Sequence, residues 1–288
     1  MGKNFVALFF VSCLFLSACN IINPAEKVPT YIHIDSFNFI NKNPTIDGSN
    51  SHKITSVWVY LDNQAVGVYD IPANVPLLMD KPGVVTVNPG VTYAGIKSFQ
   101  VIYPFYQYDT ITLQPAPGTV KHWVPTTQYN SSSIFQYKED FEVGNTFIVT
   151  DSGDSTQTNI TRVTDKDKVF EGAASGLINL TTAKPNSEII CNTDFVLGKN
   201  ENYVELDYKC SADFVVGLEM VDIYGNITPA YIAGAKANGS WNKLYMGLET
   251  FLAQHPNGKT YRLLIKTALP AGQSNAYVLL DNIKVVSN

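Results

Sequence analysis

From Tyr31 to Val286 the chain never sustains an apolar stripe of helical period. Short runs rich in Val, Ile, Thr and Tyr alternate with turns built on Pro, Gly, Asn and Asp. Runs of about four to eight residues with β-branched and aromatic side chains read as strands, and their close spacing leaves no room for long helices. The abundance of aromatics, 16 Tyr and 15 Phe, points the same way. An all-β fold follows, with helix expected only as a turn over 250–254.

The strands fall into two groups. The first group covers 31–40, 54–61, 65–70, 84–87, 96–102 and 108–113, with turns predicted at Lys81-Pro82-Gly83, Asn88-Pro89-Gly90 and Pro115-Ala116-Pro117-Gly118. That spacing predicts an immunoglobulin-like β-sandwich over 31–125. A polar, serine-rich stretch follows and is read as a linker over 126–138. The second group, over 139–288, runs from Phe141 to the closing run at 277–286 and predicts a second sandwich.

Before the first strand lie a basic residue, Lys3, an apolar run from Phe5 to Leu16, and Leu16-Ser17-Ala18-Cys19. An apolar run of about a dozen residues is too short to span a bilayer core of roughly 30 Å and fits a signal segment. The four residues resemble the lipobox of bacterial lipoproteins. That resemblance implies cleavage after residue 18, lipid on Cys19 and a membrane anchor, with 19–30 as a tether. Asn20 is not the aspartate that typically retains such proteins in the inner membrane, so the resemblance implies the outer membrane, at its periplasmic or surface face. Cleavage leaves 19 basic residues against 25 acidic, a formal charge of −6. Such mild acidity argues against nucleic acid as a partner.

In the second segment an ordered series stands out: Asp140-Phe141-Glu142 at the opening, 172–180 after a glycine, Tyr203-Val204-Glu205-Leu206, Trp241-Asn242-Lys243-Leu244, and Leu280-Asp281-Asn282-Ile283-Lys284-Val285 at the close. The series resembles the galactose-binding-like jelly rolls, the fold of many carbohydrate-binding modules. The whole arrangement also resembles uncharacterised bacterial surface lipoproteins. The jelly-roll resemblance implies that Asp140, Glu142 and Asp281 are candidates for a structural calcium ion, which takes about six to eight oxygens. The alternative leaves Asp140 and Glu142 solvated on either side of an inward Phe141, with Asp281 bonded locally.

Catalytic templates are absent: the sequence has no His-Glu-x-x-His, no Gly-x-Ser-x-Gly and no phosphate loop. The chain is read as non-enzymatic, with a glycoside hydrolase as a distant alternative because no pair among 25 acids is singled out by spacing. His33 and Asp35 would share one strand face, either as an acid–base pair or, preferably, as a solvated face opposite Ile32 and Ile34. Cys191 and Cys210 are both expected to face the core. A disulfide between them and two separate buried thiols remain open readings.

Trp58 with Tyr60, the aromatic run from Tyr103 to Tyr108, Trp123 and Trp241 are each expected in packing more than on a ligand platform. No ligand-binding residue is nominated. The functional expectation is a non-catalytic envelope protein whose jelly roll binds glycan, or else a structural or assembly subunit that contacts envelope proteins.

Overall fold

The computed structural model describes residues 26–288, so the signal segment and Cys19 lie outside the described residues. The regular structure of the described residues is almost wholly strand, arranged as two β-sandwiches. The first contains β1 (Thr30–Ile34), β2 (Asn38–Phe39), the short helix α1 (Pro44–Asp47), β3 (Ile54–Leu61), β4 (Gln64–Asp70) and β5 (Ala73–Leu77). It continues through β6 (Gly83–Thr92), β7 (Gln100–Ile102), β8 (Asp109–Leu113), β9 (Val120–His122) and β10 (Thr126–Thr127).

Strands β4-β3-β6-β7, with β8 also on β6, form one sheet of this sandwich, and β5-β1-β9 form the other. Alternate residues of each strand turn inward: Ile32 and Ile34 from β1, Val57 and Val59 from β3, and Val85 and Val87 from β6 are buried together. This period-two burial is what a two-layer sandwich requires.

Asn88-Pro89-Gly90 is not a turn, as the sequence predicts, but lies inside the ten-residue β6. β6 pairs with β8 through Gly83–Val87 and with β7 through Gly90–Thr92. Pro89 falls where one neighbour hands over to the other, so its missing N–H costs no ladder bond. Gly90 is needed beside it, because a Cβ there would sit 2.1 Å from Ser56 Oγ.

The second sandwich begins inside the expected linker. β10 pairs with β2 of the first sandwich, and β11 (Ile134–Glu139) already lies in a sheet of the second. There follow β12 (Phe147–Val149), β13 (Ile160–Val163), β14 (Ser175–Thr181), β15 (Asn186–Cys191), β16 (Asn202–Cys210) and β17 (Phe214–Asp222). The chain closes with β18 (Ile227–Ala235), β19 (Asn238–Gly247), helix α2 (Glu249–Gln254), β20 (Gly258–Ala268) and β21 (Asn275–Ser287).

A six-stranded sheet, β13-β14-β21-β16-β19 with β11 also on β21, faces a five-stranded sheet, β12-β15-β20-β17-β18. Every pairing in both is antiparallel, in the layered manner of a jelly roll. Between them lie Phe141, Phe147, Phe214, Leu206, Leu263 and Ile265, each buried.

Cys191 and Cys210 both point into this core, as strand parity predicts, but they are free thiols and not a disulfide. They stand on strands of opposite sheets, and each sulfur has its own backbone partner. Leu263 N donates to Cys191 Sγ at 3.1 Å, and Cys210 Sγ donates to Lys236 O at 3.6 Å. Burial pushes both thiols above their usual pKa. A reducing agent is therefore expected to leave the melting temperature unchanged. A thiol reagent should label the two only after unfolding, which mass spectrometry of labelled chains reads directly.

Candidate functional site

The outer face of the six-stranded sheet has two halves with different fates. One half receives the first sandwich. Tyr203 and Glu205 of β16, Tyr245 and Lys243 of β19, and Lys284 and Val286 of β21 pack against Phe39, Val91, Tyr103, Phe105, Tyr106 and Tyr129. The geometry depends on a bulge in β21 at Asn282, which adopts φ +48°. Asp281 faces outward before it and Ile283 inward after it, so Lys284 and Val286 turn to the first sandwich.

The interface is polar at its centre. Tyr129 donates to both carboxylate oxygens of Glu205, at 2.9 and 2.8 Å, and Tyr103 donates to the same carboxylate. Lys243 Nζ stands 3.5 Å from both Glu205 and Asp207. Ser51 of the first sandwich donates to Asp207 at 2.9 Å, and Lys284 Nζ reaches Ser49 O at 2.9 Å and Tyr129 Oη at 3.2 Å. Burial lowers the pKa of Lys243, but Asp207 and Glu205 outweigh it and hold the ammonium above its usual value. For Lys284 burial dominates, and its pKa is pulled down to about 8 despite the nearby Glu205.

The three carboxylates singled out for calcium do not converge. Asp140 is exposed and accepts from Glu142 N at 3.1 Å. The Glu142 carboxylate accepts from Ala173 N at 2.9 Å, holding the turn at Gly172, whose φ of +67° brings the backbone close. Phe141 between them is wholly buried. Asp281, on the outer face of the sheet, is nonetheless buried, accepting from Ser175 Oγ at 2.6 Å and from Asn282 N at 2.8 Å. Burial, then the nearby Asp207 and Glu171, raises its pKa to about 7 despite those bonds. Each of the three accepts from its own local backbone or hydroxyl donor, and among the described residues the group of three ligands within mutual reach is a different one, His33, Asp35 and His122.

Asp281 and Asp207 are two buried acids bridged by Asn282, whose Nδ2 donates to Asp207 at 3.2 Å while its own N–H donates to Asp281. Each is only 1% exposed, so neither presents an oxygen to a substrate.

The other half of the outer face is open. Leu177 of β14, Leu279 of β21 and Lys209 of β16 form one row across three strands, and Asn179 and Tyr277 form the next. With Asp167 from the preceding loop they line a groove of about 390 Å³. Its floor is apolar, with one aromatic ring, and its rim offers an amide, the ammonium groups of Lys168 and Lys209, and a carboxylate. This combination suits a ligand that is apolar on one face and polar at its edges. Tyr277 is held from behind by its own backbone, which accepts from Ser211 N and donates to Ser211 Oγ, both at 2.9 Å.

A second aromatic surface lies on the outer face of the first sandwich. Tyr60 and Tyr108, with Asn63, Asn88, Thr86 and Thr110, line a shallow depression of about 600 Å³, and Tyr108 is 63% exposed. Trp58, two residues before Tyr60, shares this face opposite Asn88. The sequence already pairs Trp58 with Tyr60 by parity, but Tyr108 joins them only through the β6–β8 pairing. Tyr103, Phe105 and Tyr106, from the same aromatic run, are instead buried in the interface, as packing predicts. Trp241 packs on Phe170, with ring centroids 5.1 Å apart.

No family model matches the chain, and no curated protein matches it. Among solved structures it is similar to the CBM22-1 xylan-binding domain of Xyn10C from Paenibacillus barcinonensis, at 14% identity and a TM-score of 0.39, over 54% of this chain and 96% of that one. It is also similar to TmCBM61 in complex with β-1,4-galactotriose, at 12% identity and a TM-score of 0.34, over 52% and 94%. A third similarity is to the enzymatically active domain of tailspike protein 4 of bacteriophage CBA120, at 10% identity and a TM-score of 0.37, over 51% and 20%. Each likeness spans about half of this chain.

Proposed function

We propose that this chain is a lipid-anchored, non-catalytic protein of the bacterial cell envelope, held at the outer membrane through Cys19, that binds glycan in the open groove of its jelly roll. The anchor rests on the Leu16-Ser17-Ala18-Cys19 pattern and the choice of the outer membrane on Asn20. The observation that carries the glycan reading is the groove itself: Tyr277 and Leu177, over the buried Leu279, form a surface on which the C–H face of a sugar ring can rest, ringed by Asn179, Lys168, Lys209 and Asp167 for its hydroxyls. The Tyr60 and Tyr108 surface, flanked by two asparagines, offers the same chemistry on the first sandwich.

A different class of partner is favoured by one observation. The turn between β17 and β18 exposes Ile223 at 60%, Tyr224 at 76% and, at the start of β18, Ile227 at 61%. An apolar tip of this kind suits contact with another envelope protein.

A glycan array screened with the chain from Asn20 onward, which contains every described element, tests the reading. Selective binding is expected. Tyr277→Ala should weaken it roughly tenfold or more, a loss of about 1–2 kcal/mol from one aromatic contact. Loss in Tyr108→Ala with binding intact in Tyr277→Ala would move the site to the first sandwich. An array with no selective signal would leave the apolar tip and a protein partner as the better reading.

A further inference from the structure

The three-stranded sheet of the first sandwich carries a polar cluster that neither the interface nor the groove uses. His33 on β1 and His122 on β9 are register partners across a parallel strand pair. Their ring centroids lie 4.8 Å apart. Asp35, one residue past the end of β1, places Oδ1 2.9 Å from His33 Nε2. One donor atom from each of the three side chains lies within 4.8 Å of the others. Ile32 and Ile34, on the opposite face of β1, are buried in the core, so the strand that carries His33 is firmly seated.

On the far side of the His33 ring, Asn74 of β5 places its Oδ1 2.6 Å from Nδ1. Held between the Asn74 amide oxygen and the Asp35 carboxylate, the ring presents Nε2 to Asp35 and His122, and with an ion on Nε2 its remaining proton would sit on Nδ1, donated to Asn74. Metal-binding histidines are oriented in this way, by a hydrogen bond from the nitrogen that does not bind the ion.

We infer that His33, Asp35 and His122 form a binding site for a divalent transition-metal ion of the zinc class, with Asn74 orienting His33 and water completing the coordination. Two imidazoles and one carboxylate suit zinc, which takes nitrogen at about 2.0–2.1 Å and carboxylate oxygen at about 2.0–2.2 Å. Those lengths require donor atoms about 3.4 Å apart in a tetrahedron, closer than the present spread. Asp35 and His122 are both exposed and can rotate inward, while His33 is fixed between β1 and Asn74. Calcium does not fit, because it wants an all-oxygen shell. β9 is a three-residue, wholly exposed edge strand whose pairing is with β1, so an ion shared by His33 and His122 would clamp that edge.

Calorimetric titration of Zn²⁺ into the chain from Asn20 onward tests the site. One ion per chain is expected, together with a rise in melting temperature that Ca²⁺ does not produce. His122→Ala, a change at an exposed position, should abolish both effects. Asn74→Ala should weaken binding by about 10- to 100-fold, the usual consequence of losing an orienting partner. Circular dichroism of each variant separates loss of binding from loss of fold. The inference is overturned if Zn²⁺ gives no saturable heat, or if its affinity survives in both His33→Ala and His122→Ala, which would place the ion at His52, His255 or the thiols.

Discussion

Replacing Glu205 with alanine is expected to destabilise the protein by about 3–5 kcal/mol, the usual consequence of stranding buried charge. Glu205 is wholly buried, and its carboxylate takes hydrogen bonds from Tyr103 and Tyr129 while standing 3.5 Å from Lys243. Without it, Lys243 keeps only Asp207, and Lys284 loses the carboxylate that partly offsets its burial. In a chain of this size the loss lowers the melting temperature by roughly 10 °C. Because Glu205 belongs to the second sandwich and both tyrosines to the first, the cut also falls between domains. Scanning calorimetry should show the single transition of the parent resolve into two. A quadruple variant, Glu205→Leu with Lys243→Met, Lys284→Met and Asp207→Asn, should recover most of the lost stability, since neutral residues of similar volume can replace a buried ionic network when no member is left charged. A loss under about 1 kcal/mol for Glu205→Ala would show that the network contributes no more than surface pairs do.

The second large effect is a pH dependence centred on Asp281. Its pKa rises from an ordinary 3.8 to about 7 in the folded protein, chiefly through burial. A carboxyl whose folded pKa is raised favours the folded state only while protonated. That contribution is complete below about pH 4 and is lost as pH climbs to about 7, at up to about 1.4 kcal/mol per pH unit. Asp281→Asn removes the titration yet keeps an oxygen for Ser175 Oγ. Relative to the parent, the variant should gain stability steadily between pH 4 and 7, by a few kcal/mol in all. Urea unfolding at unit pH intervals checks this, and parallel curves for parent and variant would refute it. Lys284 acts in the opposite sense at higher pH. Its folded pKa of about 8 lies below the ordinary 10.5, so stability should rise as pH increases from about 8 toward 10.5.

The strand-rich character, the two sandwiches and the turn of helix expected over 250–254 and found as α2 were legible because each rests on local periodicity and turn residues, whereas α1, Pro44–Asp47, was not expected. What escaped reading depends on partners distant in sequence. β18, Ile227–Ala235, carries Pro229 and Gly234, which weaken its strand signal. It survives as an edge strand, paired on one side only with β17. β16 alternates Val204, Leu206 and Tyr208 with Glu205, Asp207 and Lys209, the pattern of a sheet with one face in water. Half of that outer face is instead covered by the first sandwich, so its charges are buried against partners on another domain. The histidine cluster was hidden for the same reason. His33 and Asp35 were visible as neighbours on one strand, but His122 joins them only through the parallel β1–β9 pairing.

β21 carries a consequence for how the molecule is made. Its 13 residues run beside β14, β16 and β11, so it is the spine of the six-stranded sheet, and it comes last of all the strands. The first sandwich draws its buried core from residues between Ile32 and Leu113 and can close while later segments are still being synthesised. The jelly roll cannot, because until 275–287 arrive its sheet has a gap along the middle and its apolar faces stand uncovered. Such late, long-range closure slows folding and prolongs the window in which exposed strands can pair with other chains. Pulse-labelling hydrogen exchange should therefore find β3 and β6 protected well before β14 and β16. A chaperone that holds unfolded chains would be engaged mainly by the second half.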